Sequence, residues 1–173
     1  MKCPASLVRL FLAAMALGLA GSSQAQTPAP ATNSAPASAA APTLDFGDSK
    51  SSTLTGKAWG ALGSKDYVSL KGYTEKCIEL YKAQAITQQA SLKEAAPADK
   101  ANEYWALNDV GTCYFLQGKA LDDQGDKKGA LAAYKFLAEN LSFAQCWDTN
   151  GWFWKPADAA RKRLVEIQFD AAQ

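Results

Sequence analysis

Three tryptophans fall within eight residues, Trp147, Trp152 and Trp154, with Phe153 among them and Asp148, Asn150 and Gly151 interleaved. Indole rings combine a large contact area with an N–H donor, so such a cluster makes a stacking platform for a sugar ring or a peptide. The same residues would equally serve as a lid folded onto the open end of a helical stack, and the sequence leaves both readings open. The carboxylates Glu103, Asp109, Asp122, Asp123 and Asp148 are the available groups for acid–base or glycosidic work. Asp122 and Asp123 are adjacent and point to different sides of a helix, so they are not a facing pair. Asp109 stands on the flank of a helix with Trp105 and Cys113 near it; burial would make it interesting, whereas a solvated or capping acid is the simpler expectation. The chain contains no histidine. That removes Ser-His-Asp and Cys-His catalysis and the commonest zinc ligand. Neither a phosphate loop, a dinucleotide fingerprint nor a calcium loop is present, so no cofactor and no metal are expected.

Lys2 and Arg9 precede an apolar run, Leu10 to Ala20, and the small residues Ser23 and Ala25 then bracket Gln24. The run falls short of the roughly 20 apolar residues a membrane span needs. It reads as a secretory signal over residues 1–25, cleaved after Ala25, which places the mature chain in the periplasm or outside the cell with no transmembrane segment. Cys3 precedes the apolar run instead of following it, so a lipid-modified cysteine does not fit. Of 18 basic residues the signal removes two, leaving 16 against 17 acidic ones. A chain this near neutrality has no bulk field to draw nucleic acid or anionic lipid. The run Arg161-Lys162-Arg163 is expected as the solvated face of a helix.

Cys77, Cys113 and Cys146 remain after processing. In an oxidising compartment two of the three are expected to pair. The preferred pair is Cys113 with Cys146 and the alternative Cys77 with Cys113; no C-x-x-C exists for thioredoxin-type chemistry.

The elements that must position these residues are helical. Residues 26–50, rich in Ala, Pro and Ser, cannot bury a core and are expected to form a disordered linker. The domain is expected from residue 51 to 173. Leu54, Ala58, Ala61 and Leu62 form one helical stripe, with a turn at Gly63–Asp66. A second helix starts at Tyr67, carries Leu70, Tyr73, Cys77 and Leu80, and is expected to continue to the break at Pro97. A third runs from about Asp99 to Asp123, with Tyr104, Leu107, Gly111, Tyr114, Gly118 and Leu121 on one face. Gln124-Gly125-Asp126 stops it and caps a fourth over Lys127–Leu141. A non-helical stretch, Phe143–Trp154, leads to a fifth helix that Pro156 can start.

Set on their turns, the two helical hairpins match: Ala58 falls opposite Gly118, Ala61 opposite Leu121, Lys65-Asp66 opposite Gly125-Asp126, and Leu70 opposite Ala130. The pattern Gly118-x-x-Leu121-x-x-x-Gly125-Asp126-x-x-x-Ala130-x-x-x-Tyr134 resembles the tetratricopeptide repeat. Tyr114 stands where that family usually has Trp and Ser142 where it often has Pro. The first unit is degenerate, with Thr74 at an aromatic position. The segments KCIELY, YWALNDVGTCYF and AQCWDTNGWFWKPA also resemble a group of small exported bacterial proteins, some labelled glucanase precursor; no glycosidase carboxylate pair is evident here.

The resemblance implies an all-α fold of tetratricopeptide-like antiparallel hairpins, about five helices in all. It also implies a groove that binds a peptide or envelope protein without catalysis. Trp147, Trp152, Trp154, Tyr104 and Tyr114 are the expected contact residues. The alternative is a glycan-binding or glycan-processing accessory using the Trp147/Trp152/Trp154 cluster. Two repeats make a short array, so the long helices and C-terminal segment must supply core, or the chain pairs as a homodimer.

Overall fold

The structure, a computed structural model, describes residues 2–3, 43–148 and 150–171. Apart from residues 2–3, the expected signal peptide lies outside the described residues, as does most of the expected linker. Five α-helices carry the fold: α1 (Ser51–Gly63), α2 (Tyr67–Ala90), α3 (Trp105–Asp123), α4 (Lys127–Asn140) and α5 (Pro156–Asp170). A two-residue strand β1 (Lys2–Cys3) lies parallel to β2 (Cys146–Asp148), which pairs antiparallel with β3 (Trp152–Trp154). Each helix packs on its neighbours in sequence, and α3 packs in addition on α1 and α5. The all-helical expectation holds for the body of the chain. The stretch Phe143–Trp154, expected without regular structure, contains the β2–β3 hairpin.

Both helical hairpins turn in the same way. In the first, the Asp66 N–H reaches the Ala61 carbonyl at 2.9 Å, and in the second the Asp126 N–H reaches Leu121 at 2.9 Å. The residue before each aspartate is left-handed: Lys65 at φ 58° and Gly125 at φ 83°. This is the C-terminal closure that satisfies a helix's last carbonyls, and it suits glycine better than lysine. Each aspartate then caps the next helix. The Asp66 carboxylate accepts from the Ser69 N–H at 3.0 Å, and Asp126 accepts from Gly129 at 2.8 Å. Asp126→Ala is expected to cost about 1 kcal/mol, read as a lower urea midpoint at unchanged m-value.

Helix α3 is the axis of the core. From Ala106 to Cys113 every residue is buried, so this half is enclosed on all sides, where a single apolar face was expected. The helix leans on α4 and on the segment that follows it through small residues. A methyl on Gly118 would sit 2.5 Å from the Tyr134 ring, and one on Gly111 would sit 2.5 Å from Ala144 Cβ. Tyr134 is buried against this gap and approaches Phe115 at 6.0 Å between centroids.

Two boundaries differ from expectation. Helix α2 ends at Ala90, well before Pro97, and its last glutamines bond outside the helix. Gln88 Oε1 accepts from the Leu107 N–H at 2.8 Å, capping α3, and Gln89 Oε1 accepts from Phe143 at 3.0 Å. Residues 101–104 form a 3-10 turn ahead of α3. The segment before α1, expected as linker to residue 50, is fastened to α2: Phe46 meets Tyr73 edge-on at 6.1 Å, and the Tyr81 hydroxyl donates to the Ser49 carbonyl at 2.9 Å.

The basic run is partly structural. Arg163 forks onto Asp122, with Nε to Oδ2 at 2.5 Å and Nη2 to Oδ1 at 3.1 Å, and Lys127 pairs with the same carboxylate. This ties α5 to the end of α3, and the Arg163 guanidinium, foremost, holds the Asp122 carboxyl down at about 2.

Candidate ligand-binding cleft

The acid singled out in the sequence, Asp109, is not solvated. It is 2% exposed, lying in the fully enclosed half of α3. The Ser51 hydroxyl, at the start of α1, donates to its Oδ2 at 2.5 Å. Its Oδ1 is shut off from water and has no hydrogen-bond partner among the described residues. Burial pushes the carboxyl up to about 7, with the Ser51 hydroxyl pulling the other way. An unpaired buried carboxylate is costly, and such groups concentrate where a protein binds or reacts.

Asp109 lines a cavity of ≈ 490 Å³. Its aromatic lining comes in two edge-to-face pairs. Tyr81 of α2 meets Trp105 of α3 at 5.5 Å between ring centroids, and Trp147 meets Phe153 across the β2–β3 hairpin at 5.1 Å. Trp105 stands one helical turn ahead of Asp109, which places its ring on the same flank. The rest of the lining is polar, and most of it is already committed. Asn108 Nδ2 donates to the Ala101 carbonyl at 2.7 Å, and its Oδ1 accepts from the Gln145 N–H at 2.8 Å. Gln145 Nε2 donates to Ala96 at 2.7 Å. These bonds pin the 3-10 turn and the hairpin approach to α3. Lys50 at the rim pairs with Asp48 at 3.0 Å, and its side chain is 75% exposed.

The hairpin divides the tryptophan cluster by strand alternation. Trp147 and Phe153 are cross-strand partners on the cleft side. Trp154, on the other face, packs edge-on to Phe115 at 4.8 Å and Trp59 at 6.3 Å, sealing α1 against α3. Trp152 is 52% exposed and does not line the cleft. Cap and platform are thus two faces of one hairpin. Of the other expected contact residues, Tyr114 stacks on Phe136 at 4.4 Å with Lys82 over both rings, and Tyr104 packs against the core. Neither reaches the cleft. Tyr81, Asn108 and Gln145 were not foreseen as site residues, Phe153 was read only as part of the tryptophan cluster, and Trp105 only as a neighbour of Asp109. The signal for one of them was the four-residue step from Trp105 to Asp109.

The preferred disulfide, Cys113 with Cys146, is not formed. Successive residues on a helix point about 100° apart. Thr112 faces Cys146, with its hydroxyl 3.6 Å from that sulfur, while Cys113 turns toward α1, its sulfur 3.5 Å from the Thr55 hydroxyl. Cys77 Sγ lies 3.9 Å from the same hydroxyl, so the alternative pair does lie together, as two buried free thiols. Burial, foremost, pushes the Cys113 thiol well up, with Cys77 adding to it.

Among the described residues no cluster of three His, Cys, Asp or Glu could hold a metal, and no helix is long and apolar enough to cross a membrane. Fold and site together define a helical protein with an acid-lined aromatic cleft at the junction of α1, α2, α3 and a β-hairpin. The chain matches no protein-family model, no curated protein and no solved structure.

Proposed function

We propose that this chain is an exported, non-catalytic binding module that takes a segment of a peptide or envelope protein into the cleft at Trp105, Trp147 and Asp109. One observation carries the reading: a cavity of ≈ 490 Å³ surrounds a buried carboxylate with four aromatic rings and leaves one carboxylate oxygen unpaired. Pockets of a few hundred cubic ångströms, mostly apolar with a few convergent polar groups, are the usual form of a binding site. The matching turn geometry of the two helical hairpins supports the tetratricopeptide-like reading, and Trp105 and Trp147 stay open to solvent at 40% and 36%. A glycan ligand is served less well. A sugar needs several in-plane amide or carboxylate partners, and the amides of Asn108 and the Nε2 of Gln145 are spent on the fold.

The test is a photo-crosslinking amino acid at position 105 in the cell that makes the protein, with position 165 as control. Val165 is 66% exposed on α5 and lies outside the cleft lining. A protein adduct at 105 and none at 165 is expected. Absence of any adduct at 105, with the variant folded and its amino terminus at Gln26, would overturn the reading.

A further inference from the structure

We propose that Cys77 and Cys113 are a disulfide site, and that the bond they form staples α2 to α3 one helical turn from the cleft. This goes beyond the binding reading and holds whatever fills the cleft.

The geometry singles out this pair. Thr55, Cys77 and Cys113 are small side chains, all fully buried, that meet from α1, α2 and α3. Both sulfurs stand at one oxygen: Thr55 Oγ1 lies 3.9 Å from Cys77 Sγ and 3.5 Å from Cys113 Sγ. Cys77 also hydrogen-bonds the Cys113 thiol. Thr55 gives its one proton to the Ser51 carbonyl at 2.8 Å, so toward the sulfurs its oxygen can only accept. Loss of both S–H protons therefore removes two weak donors, while Thr55 keeps its bond to Ser51 and no buried donor is stranded. Cys146 is placed elsewhere, against another flank of α3 at Thr112.

The position gives the bond a use. On α2, Tyr81 follows Cys77 by four residues; on α3, Asp109 and Trp105 precede Cys113 by four and eight. These three residues line the cleft, and each stands one or two turns from the thiols on the same side of its helix. A covalent tie there fixes the spacing of the two helices whose Tyr81 and Trp105 rings meet at 5.5 Å. It also closes a loop of 36 residues (113 − 77) in the unfolded chain, which lowers that chain's entropy.

Formation of the bond is a two-electron oxidation with another disulfide as the oxidant. One cysteine thiolate attacks a sulfur of that disulfide and expels its partner, and the second thiolate then displaces the remaining half from the mixed disulfide. One S–S bond replaces two S–H bonds in the protein, and the oxidant is reduced to two thiols that carry the two protons. Burial, foremost, holds Cys113 as the thiol in the folded protein. Exchange needs a thiolate within reach of the oxidant, so the bond forms as the chain folds, before the helices close.

The test refolds the full chain from denaturant in a mixture of reduced and oxidised glutathione, alkylates the remaining thiols and digests with trypsin without reduction. Cleavage after Lys76, Lys82, Lys100 and Lys119 leaves Cys77 in residues 77–82 and Cys113 in residues 101–119. The expected main product joins these two peptides and is lighter than their sum by two hydrogens. Protein refolded with dithiothreitol instead should melt lower by roughly 6–12 °C. Cys77→Ala cannot form the bond and should melt at one temperature in either preparation. Either cysteine linked to any other residue, or both peptides recovered alkylated or carrying glutathione, overturns the site. A linked pair whose melting temperature does not depend on the reductant overturns the staple. The peptide map decides the site even if the variant fails to fold.

Discussion

Asp109→Asn is expected to make the protein more stable at neutral pH, and to do so by an amount that vanishes in acid. The sign follows from where the carboxyl titrates. In the unfolded chain it ionises near 3.8, and in the fold burial holds it protonated up to about 7. Below 3.8 both states carry the proton and the group contributes no pH dependence. Between 3.8 and 7 the unfolded chain releases its proton and the folded chain does not, so stability falls as pH rises. Above 7 the full cost is present, about three pK units or about 4 kcal/mol. Asparagine does not titrate and lacks this slope. Asp122 works in the opposite sense at lower pH. Its carboxyl is held at about 2, so its contribution is present above 3.8 and is lost as pH falls through about 2. The half-open cations that pair with it limit that contribution to about 1–2 kcal/mol. The wild-type protein should therefore be most stable on the acid side of neutrality. Urea unfolding across this range checks it: a wild-type curve flat from 3.8 to 7, or an equal fall in the variant, would mean that the Asp109 charge is already compensated.

Tyr134→Ala is expected to cost about 3–5 kcal/mol, the range for truncating a buried aromatic residue. The ring is buried between α3 and α4, where Gly118 gives way to it, and it lies against Phe115. The partner residue makes the prediction more specific. Gly118→Ala alone places a methyl 2.5 Å from the ring and should cost about 1–3 kcal/mol by overpacking, offset in part by alanine's better helix propensity of about 1 kcal/mol. In the Tyr134→Ala background the same methyl enters vacated space and should stabilise. Denaturant midpoints of the four proteins give the coupling directly, expected at about 1–3 kcal/mol. Additive effects would show that α3 and α4 are free to separate at this crossing.

The helical elements were written locally. Gly125-Asp126 and Lys65-Asp66 stop one helix and cap the next with their own backbone and carboxylates, so the turns needed no distant residue. The spacing of Gly118 and Tyr134 likewise gave the face on which α3 meets α4. The end of α2 had no local signal, since nothing near Ala90 announces a stop, and the Gln88 and Gln89 side chains there bond to Leu107 and Phe143, residues far along the chain. The cleft was partly legible. Its acid and one wall, Asp109 and Trp105, are a helical turn apart, and Trp147 belonged to an obvious cluster. Tyr81 and Gln145 come from outside that cluster and that helix, and only packing brings them to the cleft. Strand alternation then separated Trp147 from Trp154, a division that a count of tryptophans cannot make. The sequence by itself determined which segments are helices, where the hairpins turn and which chemistries lack their residues, because these depend on neighbours within a few positions. Only the tertiary structure decided that Asp109 is buried, that Cys113 faces Thr55 and not Cys146, and that the hairpin presents one face to a cleft. Burial, charge compensation and side-chain direction are properties of what surrounds a residue, and here those surroundings come from α1, α2 and the β-hairpin together.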